Sequence, residues 1–108
     1  LLRAKLSSPT SDVPVAHLAD LFSLMGDETR LKIILVCLRG PISVGDIAKE
    51  LGASQSLVSH HLRLLRAARV LRSERQGKNV FYSASDAHIE CVINDMVAHV
   101  SEPESLEE

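Results

Sequence analysis

Apolar positions recur at helical spacing through the first two thirds of the chain, switch to alternation, and then return to helical spacing. Val15, Leu18, Leu21, Phe22 and Met25 repeat at intervals of three and four, predicting a first helix that opens on Pro14 and ends near Gly26. Asp27 suits the N-cap of a second helix, marked by Leu31, Ile34, Leu35 and Leu38 and stopped before Gly40-Pro41. The unbroken apolar run from Ile33 to Leu38 predicts that this second helix is deeply buried. Ser43 and Asp46 form a capping-box-like pair, with Asp in place of the usual Glu, and open a short helix whose Ile47, Ala48 and Leu51 face inward. Gly52 supplies the left-handed residue that ends it. Ser54 caps the next helix, with Leu57, Val58, Leu62 and Leu65 at helical spacing until about Ala68.

Two helices joined across Gly52-Ala53-Ser54 follow the plan of a helix-turn-helix. Beyond them Val70 to Arg75 and Val80 to Ser83 alternate around Gln76-Gly77-Lys78-Asn79, which predicts a β-hairpin. Ile89, Val92, Ile93, Met96, Val97 and Val100 then predict a C-terminal helix with one apolar stripe. Residues 1–13 lack periodicity and read as a flexible arm, and residues 103–108 read as an acidic tail. The expected fold is mainly α with a β-hairpin wing, a winged helix-turn-helix over residues 14–102.

Composition narrows this picture in two ways. With 108 residues, 45% of them hydrophobic, the chain has room for one domain with one modest core. Its longest apolar run is too short to cross a bilayer and its start has no signal-peptide pattern, so a cytoplasmic location is expected. Cys37 and Cys91 stand far apart without CxxC spacing, which predicts reduced thiols rather than a disulfide framework.

The net charge of -2 hides a strong polarity along the chain. Arg63, Arg66, Arg69, Arg72, Arg75 and Lys78 fall at every third position, whereas no Lys or Arg follows Lys78 and seven acidic residues do. A basic segment on a near-neutral chain is the footprint of a phosphate-contacting surface. In a helix-turn-helix the second helix enters the major groove with short polar side chains on its first turns. Gln55, Ser56, Ser59 and His60 meet that need behind Ser54, while Arg63 and Arg66 further along, and Arg72, Arg75 and Lys78 on the hairpin, suit phosphates. The plainer account is that Ser54, Ser56 and Ser59 merely cap and solvate a helix and that His60 and His61 lie on the surface. For each residue alone that account is the better one, but the ordered succession of cap, glycine turn, polar helix start and basic hairpin favours double-stranded DNA as partner.

Three stretches, GDETRLKIILVCL, SVGDIAKELGASQSLVSHHLRLLRAARVL and RQGKNVFYS, resemble the ArsR/SmtB family of metal-responsive repressors over about residues 15 to 102. The resemblance implies a homodimer through the first and last helices, operator DNA as partner, and Gln55, Ser56, Ser59 and His60 as readers of base edges. One departure stands out. Where thiolate-sensing members carry a CVC-type motif this chain has Ser43-Val44-Gly45, so soft ions lack their usual sulfur ligands.

The C-terminal stretch carries Asp86, His88, His99 and Glu102. His88 and His99 return to nearly the same helix face but lie roughly 16 Å apart along the axis. Ligands to one zinc ion sit within roughly 2.2 Å of it, so one helix cannot close the site. Two chains paired antiparallel would bring Asp86 and His88 of one beside His99 and Glu102 of the other, twice, by dyad symmetry. Two imidazoles and two carboxylates suit Zn(II), with Co(II) or Ni(II) as rivals. The D-x-H and H-x-x-E pattern is also similar to that of the family's zinc sensors with sites on the C-terminal helix. His17 and Cys91 are possible further ligands, although core packing or surface exposure accounts for both more simply. By resemblance, the metal-free homodimer binds operator DNA and metal lowers that affinity. Because binding needs neutral imidazoles, metal affinity should fall below about pH 6. Two alternatives stand beside this one: a thiol or persulfide switch using Cys37 and Cys91, and a small zinc hydrolase.

Overall fold

A computed structural model describes residues 12–103, so most of the expected arm and nearly all of the expected acidic tail lie outside the described residues. The elements run α1 (Val15–Met25), α2 (Glu28–Leu38), β1 (Ile42–Ser43), α3 (Val44–Leu51), α4 (Gln55–Ala67), β2 (Leu71–Gln76), β3 (Asn79–Ala84) and α5 (Ala87–Ser101).

Helix boundaries follow local chemistry closely. Asp27 Oδ2 accepts from the Arg30 amide at 3.0 Å, Ser43 Oγ from Asp46 at 3.2 Å and Ser54 Oγ from Leu57 at 3.1 Å. Each cap satisfies an amide that its helix cannot, an effect worth about 1 kcal/mol. Gly52, at φ +66°, closes α3. Pro14 stands at the N-cap of α1 rather than at its first helical position, so Val15 opens the helix. At the end of α4 the left-handed position belongs to Arg69, φ +62°, while the Val70 amide bonds back to the Leu65 carbonyl at 2.9 Å.

The core forms around α2. Ile33, Ile34, Val36 and Cys37 pack with Ile47 and Ala48 of α3, with Val58, Leu62 and Leu65 of α4, with Val70 and the Leu71 that opens β2, and with Ile93 of α5. Two expected inward residues lie outside it: Leu35 is 40% exposed and Leu57 on α4 is 44% exposed. The C-terminal stripe also divides. Ile93 and, in part, Ile89 turn into the chain's own core, whereas Val92, Met96, Val97 and Val100 stay exposed.

The sheet is antiparallel, in the order β1-β3-β2. β1 was not expected from the pattern; Ile42 pairs with Tyr82 and Ser43 with Phe81, adding a short strand beside the hairpin. Gln76 pairs with Asn79, so the wing turns on two residues, Gly77 and Lys78, rather than the four expected. Gly77 has φ +66°, the left-handed backbone that a two-residue hairpin loop asks of its first position. The radius of gyration, 16.9 Å, exceeds the roughly 13 Å of a compact chain this size. The excess reflects a flat, extended molecule with α1 and α5 at its surface, where Val15, Leu18, Phe22, Met96 and Val100 lie bare.

Candidate nucleic-acid interface and metal half-sites

α3 and α4 meet across Gly52, and α4 presents its first turns outward. Ser54, Gln55, Ser56 and His60 are exposed, and Ser59 is half-buried. Ser54 also serves as the cap of α4, so part of its role is structural. Gln55 lies across the start of α3, close enough that a Cβ on Gly45 would touch its Nε2 at 3.4 Å. A groove of about 440 Å³ runs between these helices and the wing, lined in part by Ser43, Gln55, Ser59, Lys78, Asn79 and Tyr82. A second groove, of about 410 Å³, is walled by Ser59, Arg63, Arg66, Ala67 and Tyr82. Tyr82 therefore belongs to both, and the reading of the sequence missed it; its alternation with Val80 on β3 is the signal that puts it on the face towards α4.

Arg63, Arg66, Arg72, Arg75 and Lys78 are exposed and, among the described residues, none forms an ion pair. Two of the five are braced by the wing. Arg66 donates to Ser73 Oγ at 3.4 Å, and Arg72 Nε donates to Ser83 Oγ at 3.3 Å. A row of unneutralised guanidinium groups beside an exposed polar helix can bind phosphates while the helix reads base edges. His61, by contrast, is not on the surface: only 9% exposed, it faces inward from α4.

The metal-capable residues separate as their spacing requires. Asp86 is the N-cap of α5, its Oδ1 accepting from the Ile89 amide at 3.0 Å, which leaves Oδ2 for another partner. Asp86 and His88 share a groove of about 610 Å³ with His17, Leu21, Arg69 and Ile89. At the far end of α5, His99 is exposed in the last turn and Glu102 is the C-cap. Among the described residues, no three His, Cys, Asp or Glu side chains come together closely enough to hold one ion. Within one chain, therefore, Asp86, His88, His99 and Glu102 do not together hold one ion.

Of the two cysteines, Cys37 is sealed in the core, and burial pushes its thiol up to about 12. It offers no thiolate near neutral pH, so a thiol switch would rest on exposed Cys91. No helix among the described residues is long and apolar enough to cross a membrane.

A two-helix reader, a basic hairpin and an intact core define a winged-helix DNA-binding regulator. Comparison with known proteins agrees. The family model for the bacterial regulatory protein, arsR family, matches residues 27–73. A transcriptional repressor SmtB homolog from Synechocystis is 35% identical over 80% of this chain and 65% of its own, so the chain spans just under two thirds of that relative. The cadmium resistance transcriptional regulatory protein CadC homolog of Staphylococcus aureus is 35% identical over 82% of this chain and 74% of its own. In structure, the homodimeric winged helix-turn-helix DNA-binding domain Mb0332 from Mycobacterium bovis superposes with a TM-score of 0.77. It covers 88% of this chain and 91% of that one at 19% identity, a likeness of fold. The chain belongs to the ArsR family of transcriptional regulators, and it is a DNA-binding protein rather than an enzyme. The hydrolase alternative falls with that assignment.

Proposed function

We propose that the protein is a metal-responsive repressor whose homodimer shares two zinc-class sites, one at each end of the paired α5 helices. The observation that carries this reading is the division of α5. Asp86 and His88 stand at one end, His99 and Glu102 at the other, and Val92, Met96, Val97 and Val100 leave an uncovered apolar stripe between them. An apolar stripe of that kind asks for a partner surface. A second copy laid antiparallel along it meets each half-site with the complementary half. His88 and His99 supply imidazole nitrogens, and Asp86 and Glu102 supply carboxylate oxygens. Zn(II) is the ion this set suits best, with Co(II) or Ni(II) as rivals. Bound there, the ion supplies a cross-link between the two copies.

The similarity to a cadmium resistance regulatory protein of Staphylococcus aureus supports a metal effector. Ser43-Val44-Gly45 offers no thiolate, which favours the harder donor set on α5. In the metal-free homodimer, Gln55, Ser56, Ser59 and His60 face base edges of operator DNA, with Ser54 holding the helix start. Arg63, Arg66, Arg72, Arg75 and Lys78 hold the phosphates. A dimer geometry favoured by the cross-link moves the two α4 helices out of register with successive major grooves. Such coupling requires only that the ion bind one geometry more tightly, typically by about 1–3 kcal/mol.

The test titrates zinc, cobalt and nickel chlorides into the protein bound to its own promoter duplex, beside a His99→Ala variant. Metal should release the wild type and leave the variant bound. Unchanged binding of the wild type with all three ions would sink the sensor reading.

A further inference from the structure

One partly buried polar cluster lies outside both the DNA-facing surface and the metal half-sites. Arg30, in the first turn of α2, donates through Nε to the Leu24 carbonyl near the end of α1 at 2.8 Å. Its Nη1 stands 3.2 Å from Nδ1 of His61 on α4. The backbone amide of the same residue holds Asp27, the cap of α2. A single arginine thus joins α1, whose Val15, Leu18 and Phe22 are bare, to the helix that carries Gln55, Ser56, Ser59 and His60.

Arginine has only donors, so His61 Nδ1 must offer its lone pair and the ring proton must sit on Nε2. A proton on Nδ1 would remove the hydrogen bond and set two cations face to face. The groups facing the ring are Arg30 and Asp27 from the start of α2 and His60 from α4 itself, its ring centroid 5.5 Å away. From α1 the Leu24 carbonyl reaches this cluster, through Arg30.

We propose that His61 is a positioning residue for DNA reading: neutral, it locks α4 to the α1–α2 corner through Arg30, and its protonation releases that setting. This rests on α4 being the DNA-reading helix. Burial lowers the readiness of His61 to take up a proton, Arg30 and His60 add to that effect, and Asp27 opposes it. The folded value therefore lies below the ordinary 6.5. As pH falls below 6.5 the unfolded chain protonates first, so stability declines until the folded value is passed. Above 6.5 the neutral ring carries no such penalty.

The experiment uses the full chain without added metal and a duplex selected from a random library by the wild-type protein. Affinity is measured from about pH 7.5, above the ordinary histidine value, down to the lowest pH at which circular dichroism shows the chain folded. His61→Asn keeps an acceptor near the place of Nδ1 but does not titrate. Wild-type affinity should fall several-fold more than that of His61→Asn across this window. Parallel pH profiles for the two proteins would overturn the proposal. Nitrogen-15 spectra of the wild type give a second reading that needs no variant to fold. At neutral pH they should show a proton on Nε2 of His61 and none on Nδ1; a proton on Nδ1 would overturn the proposal equally. A wild type that selects no duplex at any pH overturns both this proposal and the reading of α4 on which it rests.

Discussion

α2 and α5 are both rich in apolar residues, yet they spend them differently. Within α2, Ile33, Ile34, Val36 and Cys37 are buried against other elements of the same chain. α5 buries Ile93 and leaves Met96 at 53% and Val100 at 75% exposure. The first helix folds the chain, and the second keeps a bare stripe that the proposed homodimer would cover. An apolar stripe therefore states that a face will be covered, without saying by which chain.

Five measurements press on that contrast. The largest effect concerns the two cysteines, one on each helix. Raised from 9.0 to about 12, Cys37 holds about a thousandfold less thiolate than an ordinary cysteine near neutral pH. An alkylating reagent followed by mass spectrometry should leave Cys37 unlabelled until the chain unfolds; labelling of Cys37 in the native protein would break the contrast. Next is Ile33→Ala, which empties a fully buried site and should cost about 2–5 kcal/mol in urea unfolding. Met96→Glu should do the reverse: sedimentation should shift from dimer to monomer, and the unfolding midpoint should lose its dependence on protein concentration. A Met96→Glu protein that stays dimeric would show that α5 is not the assembly face.

The fourth measurement reaches the wing. Arg75→Ala should weaken binding to all duplexes about equally and lower the salt slope by about one, as loss of one phosphate contact does. The smallest effect belongs to Arg69. Its left-handed backbone costs an arginine about 1 kcal/mol, so Arg69→Gly should raise the thermal midpoint slightly, net of the glycine's greater chain entropy.

What was legible in the sequence was local. Asp27, Ser43, Ser54 and Gly52 mark helix ends because a cap and its amide lie within a few residues. Asp86 was legible as a metal-capable carboxylate, and the structure adds that it also caps α5. β1 was not legible, since Ile42 and Ser43 become a strand only through Tyr82 and Phe81, some forty residues away. Nor was the inward setting of His61, which meets Arg30 from far off in the chain. Ile93 and Val92 are neighbours in one stripe, and which of them turns inward is decided by how α5 packs on the core. The separation of Asp86 and His88 from His99 and Glu102 was legible because a helix of fixed rise keeps its ends apart.

The two-residue turn at Gly77-Lys78 also bears on how much DNA the protein covers. Strands of six residues make a hairpin of roughly 20 Å, about the length of six base pairs. On the proposed reading, in which the wing lies along the duplex, each wing extends the protected stretch beyond its reading helix by no more than that, an outer limit on the size of the operator half-site.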